Sequence, residues 1–241
     1  MKVVVIIPAA GLGTRMAPAG SSKGKGPSKQ FSDLGGTPIL IHTLRKFAGS
    51  PRVSEIVVAL RKDEIAGFQE RLQNDGAAGL ATKARLVEGG EHRQHSVANA
   101  LAQVSAGADD IVLVHDAVRP FVTLEIIDEV IKGAEKFGAA IAGMPAVDTI
   151  KKVERTADGA LITATIPREH VVMAQTPQGF RYPVLKKAFD EAMADGFIGT
   201  DEASLVERSG HEVAVVMGSP RNIKITNPGD MELAEFYLSR S

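Results

Sequence analysis

A cation beside a loop of small residues is the arrangement in this sequence best suited to phosphate chemistry, and it comes early: Ala9, Ala10, Gly11 and Gly13 are followed by Arg15. With so little side-chain bulk, the loop lets a ligand's phosphates or base approach the backbone N–H groups. It follows Val3 to Ile7, five consecutive β-branched residues that read as a strand buried on both faces of a parallel sheet and closed by Pro8. Open α/β sheets bind nucleotides at the carboxyl ends of their strands. Nucleotide binding is therefore the first expectation, set against a tight strand-to-helix turn with no ligand. The common phosphate loops do not fit. Gly11 to Met16 has the first two glycines of G-x-G-x-x-G but Met16 in the third place, and no acidic residue ends the next strand at Leu60-Arg61. Gly20 to Gly26 has three residues rather than four before Gly24-Lys25, with Gly26 where a P-loop needs Ser or Thr.

A second cluster, Gly89-Gly90-Glu91-His92-Arg93-Gln94-His95-Ser96, follows a strand and opens a helix. Free N–H groups and a helix N-terminus there suit base or sugar recognition. Its two histidines are either metal ligands in need of a further partner or a solvated helix start. His115-Asp116-Ala117-Val118-Arg119-Pro120 ends the fourth strand. Asp116 can hold magnesium through an oxygen, since Mg²⁺ bound with substrate phosphates needs only one or two carboxylates, or it can pair with Arg119. Arg168, Thr176 in Gln175 to Gln178, and Lys224 in Arg221 to Thr226 complete the set. The alternation of Asn222, Lys224 and Thr226 against Ile223 and Ile225 puts Lys224 on the polar face of a strand, toward a ligand or toward solvent.

The elements that must position these residues follow an α/β rhythm. Thr37-Pro38 reads as an N-cap and first helical residue, opening a helix through Leu40, Ile41, Leu44 and Phe47 to Gly49. Glu55–Leu60, Arg85–Val87 and Ile111–Val114 read as strands, and Asp63–Gln73 and Gln94–Val104 as the helices between them. Thr123 caps a helix whose Ile126, Ile127, Val130 and Ile131 share one face, and Ala139–Met144 is a further buried strand. Residues 146–172 break the pattern and read as a hairpin, with strands Thr149–Val153 and Ala160–Ile166 around Asp158-Gly159. Its threonines and lysines are poor core material, so it is expected to pack on a partner, a second copy of the chain. Helices Tyr182–Met193 and Asp201–Ser209 and strand-like Val213–Met217 and Asn222–Ile225 follow. A last helix starts near Pro228, its apolar face made by Leu233, Phe236, Tyr237 and Leu238. Residues 17–28 contain only Ala, Pro, Gly, Ser and two lysines, and are expected to form either a lid that orders on substrate or a tolerated surface insertion.

Composition narrows the function classes. The 241 residues fit one α/β domain, and 44% hydrophobic residues are ample for a core. A formal net charge of -1 argues against a nucleic-acid surface, so anions must be met by cations gathered locally. With no cysteine there is no disulfide, thiolate zinc site or cysteine nucleophile. The apolar run behind Lys2 is too short for a signal peptide, and no apolar stretch approaches the roughly 20 residues that span a bilayer, so a cytoplasmic protein with no membrane partner is expected.

AAGLGTRM, Lys29-Gln30-Phe31, GGEHRQHS, VHDAVRP, Asp148-Thr149, QTPQ at 175–178, Thr200 to Ser204 and NIKIT stand in the order of the 2-C-methyl-D-erythritol 4-phosphate cytidylyltransferases of the non-mevalonate isoprenoid pathway, which the chain resembles from Val3 to Leu238. The resemblance implies a Rossmann-like nucleotidyltransferase with a mostly parallel sheet, helices on both faces and a protruding β-arm. It implies transfer of a cytidylyl group from CTP to the sugar phosphate, with magnesium on the triphosphate and no protein nucleophile. Carried over by motif, Arg15 and Lys29 stabilise charge on the α-phosphate and leaving group, and Arg168 and Lys224 position the attacking phosphate. Ala9, Ala10, Gly11, Gly90, Ser96, Ala117 and Arg119 form the CTP pocket, Asp116 lies beside metal and substrate, and Thr149 and Thr176 hold the methylerythritol phosphate. The arm makes a homodimer and brings Arg168 near the partner's site. The stretch before Lys29 is long for the family, and Lys23 and Lys25 lie close by, but Lys29 alone precedes Gln-Phe. The chain ends where the transferase does, so no fused downstream cyclodiphosphate synthase is expected. Ribitol-phosphate cytidylyltransferases share nearly all these motifs, and a non-catalytic nucleotide sensor is the alternative from another class.

Overall fold

Apolar runs too short for helices make the centre of the molecule. In the computed structural model, which describes residues 1–11, 28–74 and 80–240, they form a seven-stranded sheet. In chain order the first elements are β1 (Val3–Pro8), β2 (Asp33–Leu34), β3 (Thr37–Pro38), α1 (Ile39–Ala48), β4 (Glu55–Leu60), α2 (Lys62–Asn74), α3 (Leu80–Lys83), β5 (Ala84–Glu88), α4 (Arg93–Ala102) and β6 (Ile111–Val114). Then come α5 (Leu124–Phe137), β7 (Ala139–Pro145), β8 (Ile150–Thr156), β9 (Gly159–Ile166), β10 (Val172–Arg181), α6 (Tyr182–Ala194), α7 (Glu202–Arg208), β11 (Ala214–Met217) and α8 (Pro228–Leu238). The strands lie in the order β11-β7-β10-β6-β1-β4-β5, all parallel to their neighbours except β10.

Both faces of the sheet are covered, which is why its strands are apolar without alternation. Val3, Val5 and Ile7 pack with Leu40, Leu44 and Phe47 of α1, Phe68 and Leu72 of α2, and Ile127, Val130 and Ile131 of α5. Val4 and Ile6 point the other way, into Val97 and Leu101 of α4, Leu185 and Phe189 of α6 and Leu205 of α7. The Thr123 side chain accepts the Ile126 N–H at the start of α5, as its sequence implies. The helix ends at Gly138, whose φ of 87° is the left-handed conformation glycine reaches without strain.

Three local expectations are corrected and one strand is added. Thr37 caps nothing: with Pro38 it pairs antiparallel with Asp33–Leu34, and α1 begins at Ile39 behind Pro38 without a side-chain cap. Val172–Arg181, whose apolar residues give way to Gln175-Thr176-Pro177-Gln178 in its middle, is a strand, and the antiparallel one at that, inserted between β6 and β7. Asn222–Ile225 is not a strand. The expected alternation fails too: the buried residues are Asn222 and Ile225, which would lie on opposite faces of a strand, and the backbone contact with the chain beside it is Ile225 N–H to Val118 C=O at 3.0 Å rather than a ladder. In α8 it is Met231, Ala234 and Leu238 that pack on Leu34, Ile39, Val118 and Ile225, whereas Leu233 and Phe236 face outward.

β8 and β9 pair only with each other, as a separate two-stranded sheet. Every residue from Lys151 to His170 is exposed, including Val153, Leu161, Ile162 and Ile166. Among the described residues no helix is long and apolar enough to cross a membrane.

Candidate active site

Because β1, β5 and β6 run parallel, the loops that leave them meet at one edge of the sheet. Pro8 to Gly11, Gly90 to Arg93 with Ser96, and Asp116 to Val118 line a cleft of about 240 Å³, closed on further sides by Lys29, Gln30 and Lys224. A Cβ on Gly89 would press on Ala10, and one on Gly90 on His95, so the two small-residue loops approach as closely as they do only with glycine there. Ser96 accepts the Gly90 N–H at 3.0 Å and fixes the turn into α4. Lys29 opens a short 3₁₀ turn anchored on both sides: Gln30 Nε2 donates to the Ala9 carbonyl at 2.6 Å, and the Ser28 hydroxyl donates to Glu64 at 2.6 Å. Arg15, Lys23, Lys25 and nearly all of the stretch 17–28 lie outside the described residues.

Asp116 is the centre of the charge arrangement. Its Oδ2 lies 3.1 Å from Arg119 Nε and 3.0 Å from Lys224 Nζ, and its Oδ1 lies 3.4 Å from Arg93 Nε. Burial pushes the Asp116 carboxyl up, but Arg93, Lys224 and Arg119 together outweigh it and hold the group far below the ordinary carboxylate range. Arg93 is gripped from behind by Glu202, whose two oxygens lie 2.7 and 2.9 Å from one guanidinium nitrogen. Burial raises the Glu202 pKa, with the Arg93 charge working against it. Arg93, Arg119 and Lys224 thus converge on one buried carboxylate, and Lys224, the most exposed of the three, is the cation best placed to meet an anion.

A second cavity, about 200 Å³, lies on the far side of this cluster. Arg93, Asp116 and Lys224 line both cavities and so form the wall between them. The second is lined besides by Arg119, Thr176, Gln178, Thr200 and Asp201, a polar set suited to hydroxyls and a phosphate. β10 supplies Thr176 and Gln178. Gln178 pairs with Val114 in the antiparallel register, which carries Thr176 past the end of β6 to Asp116, whose N–H it accepts at 3.0 Å.

The structure thus brings together Ala9, Ala10, Gly11, Lys29, Gly90, Ser96, Asp116, Ala117, Arg119, Thr176 and Lys224. It does not bring Thr149 or Arg168 to them. Thr149 is exposed at the foot of the hairpin, and Arg168, also exposed, donates to the Val147 carbonyl at 2.7 Å. Arg93, which pairs with Asp116, and Glu202, which grips Arg93, stand inside the quoted motifs but were given no role from the sequence. The available signal was a glutamate just after the start of an apolar-faced helix, a buried position that demands a cation.

The model of the 2-C-methyl-D-erythritol 4-phosphate cytidylyltransferase (IspD) family matches residues 3–240. The chain belongs to that family. It is 61% identical over 238 residues to the cytidylyltransferase of Acidobacterium capsulatum, covering 99% of this chain and 98% of that one. With the Solibacter usitatus enzyme of the same name it shares 54% over 238 residues, covering 99% and 96%. Among solved structures, the 2-C-methyl-D-erythritol 4-phosphate cytidylyltransferase of Thermus thermophilus superposes with a TM-score of 0.76 at 34% identity, covering 100% of both chains. The 4-diphosphocytidyl-2C-methyl-D-erythritol synthase of Anaerococcus prevotii does so with a TM-score of 0.80 at 29% identity, over 99% of each. The cytidylyltransferase fold is therefore shared along the length of the chain, and the cleft and basic cluster lie within it.

Proposed function

We propose that this chain transfers the cytidylyl group of CTP to 2-C-methyl-D-erythritol 4-phosphate, releasing pyrophosphate and giving 4-diphosphocytidyl-2-C-methyl-D-erythritol, a step in isoprenoid precursor synthesis. The observation that carries this is the wall of Arg93, Asp116 and Lys224 shared by the two cavities. CTP occupies the cleft beside Ala9, Ala10, Gly11, Gly90, Ser96 and Ala117, and the sugar phosphate the polar cavity beside Thr176 and Arg119, which lies there rather than in the CTP pocket expected for it. A phosphate oxygen of the sugar phosphate attacks the α-phosphorus where the two cavities adjoin beside these residues, in line with the departing pyrophosphate. Lys224 reaches the reacting oxygens from the wall, and Lys29 and Arg15 meet the charge on the α-phosphate and leaving group. Such a transfer runs on positioning and charge stabilisation.

The donor set fits a magnesium carried by the triphosphate better than one held by the protein. Both Asp116 oxygens lie against cations, and among the described residues no three His, Cys, Asp or Glu gather in one place. Asp116 Oδ1, with the longest of the three contacts, is the oxygen it would offer. When bound, the ion would neutralise phosphate charge.

The hairpin completes the site from a second subunit. A two-stranded hairpin with exposed Val153, Leu161, Ile162 and Ile166 cannot bury its own apolar side chains, and two clasped arms would do so. In the homodimer the partner subunit's Thr149 and the partner subunit's Arg168 then reach the polar cavity, where this chain's own copies are absent. CTP is a cytoplasmic metabolite, which supports a cytoplasmic location.

The test is pyrophosphate release from CTP with each candidate acceptor. Release dependent on methylerythritol phosphate and far slower with ribitol 5-phosphate supports the assignment. Preference for ribitol phosphate replaces the acceptor, and nucleotide binding without release makes the chain a sensor.

A further inference from the structure

His115 lies fully buried beneath the basic cluster, and none of the roles above uses it. Its Nε2 lies 3.1 Å from the carbonyl oxygen of Arg119, and a carbonyl can only accept, so Nε2 carries a hydrogen. Its Nδ1 lies 3.0 Å from Thr176 Oγ1. The ring is fully buried and neither nitrogen meets a carboxylate to balance a second proton, so it is neutral and Nδ1 is a bare acceptor. The Thr176 hydroxyl must then donate to Nδ1, while its oxygen accepts the Asp116 N–H at 3.0 Å. One imidazole thereby holds both ends of the loop 116–119: the Arg119 carbonyl directly and the Asp116 N–H through Thr176. The Arg119 N–H closes the same turn onto the Asp116 carbonyl at 3.1 Å. From this turn Arg119 also donates to the Asn222 carbonyl at 2.7 Å, and Asn222 Nδ2 returns to the Thr176 carbonyl at 2.9 Å, which fixes the segment bearing Lys224. Phe47 packs edge-on against the ring, 4.8 Å between centroids, and holds its plane.

We propose that His115 is the positioning residue of this active site: as the Nε2–H tautomer it sets the loop that presents Asp116 to Arg93, Arg119 and Lys224, and it takes up the Thr176 hydroxyl hydrogen. Thr176 then serves the site through His115 and contacts the sugar phosphate, if at all, only as an acceptor. This rests on the basic cluster being the reaction centre assigned above, but its first test needs no turnover.

Two measurements test it. Long-range proton–nitrogen NMR of the wild-type protein at pH 7, with the His115 signals assigned by their loss in His115→Phe, should show a neutral ring protonated at Nε2. A ring protonated at Nδ1, or at both nitrogens, overturns the proposal even if every variant misfolds. The second is a double-mutant cycle in kcat/KM for the sugar phosphate. Thr176→Val, which keeps the shape and loses the hydroxyl, should lower it roughly ten- to a hundredfold. Thr176→Ser should recover most of that loss, and adding His115→Phe to Thr176→Val should cost little beyond the worse single change. Effects that multiply, with Thr176→Val acting only on KM, would make Thr176 a direct substrate ligand and refute the proposal. A wild-type protein with no cytidylyl transfer would sink the proposed function and leave the NMR result standing.

Discussion

Lys224→Ala separates catalysis from folding at this site. Lys224 Nζ lies 3.0 Å from Asp116, yet its side chain is 38% exposed and the segment that carries it is not a strand. An ion pair that open contributes about 0–1 kcal/mol to folding. Its loss leaves Asp116 still paired with Arg119 at 3.1 Å and Arg93 at 3.4 Å, so the carboxylate is not stranded. Turnover should suffer far more. Lys224 lines both cavities, and removing one donor from a developing oxyanion costs about 2.7–4 kcal/mol, or a hundred- to thousandfold in kcat. The assay is pyrophosphate release at saturating CTP and methylerythritol phosphate, with urea unfolding of the same preparation. A fall in kcat with an unchanged unfolding midpoint is expected. A rise in KM alone would mean that Lys224 binds ground state and transition state equally, and near-normal turnover would remove it from the mechanism altogether.

Three other perturbations bear on separate parts of the account. Mixing inactive Arg168→Ala with inactive Lys224→Ala should restore roughly a quarter of wild-type activity, because one site of each mixed dimer receives both intact residues if the arm crosses over; no recovery despite demonstrated subunit exchange would confine Arg168 to its own chain. Glu202→Gln, which removes the charge gripping Arg93, should cost about 1–3 kcal/mol of stability in urea unfolding, and an unchanged midpoint would show that the buried pair contributes nothing net. His115 has a folded pKa of about 4 against 6.5 for the unfolded chain, so as pH falls the unfolded state takes up the proton first. Its contribution is complete above 6.5 and is lost progressively toward 4, about 3 kcal/mol in all, and this slope should be absent in a His115→Phe protein that still folds.

The elements legible in the sequence were those held by apolar packing. Val3–Ile7, Glu55–Leu60 and Ile111–Val114 sit between two helical layers, and unbroken β-branched and aliphatic runs reveal that directly. β10 was hidden for the opposite reason. Thr176 and Gln178 are buried in it by hydrogen bonds to Asp116, His115, Asp201 and Ala203, so a central strand carries the composition of a loop. The site followed the same division. Glycines and lone cations stood out as motifs, whereas Arg93, Glu202 and His115 act through partners 109, 109 and 61 residues away, and no local spacing encodes such pairs. Asn222–Ile225 misled because Asn222, on the expected polar face, is buried through hydrogen bonds to Gln175 and Thr176, so its alternation of residue types does not follow burial.

The central claim is direct transfer at phosphorus beside Arg93, Asp116 and Lys224, with no protein nucleophile between the two substrates. Stereochemistry at the α-phosphorus tests it most directly. With CTP made chiral at that atom by sulfur and the product configuration read by phosphorus NMR, a single in-line attack is expected to invert the centre. Retention would require two displacements through a covalent enzyme intermediate, and would contradict the account.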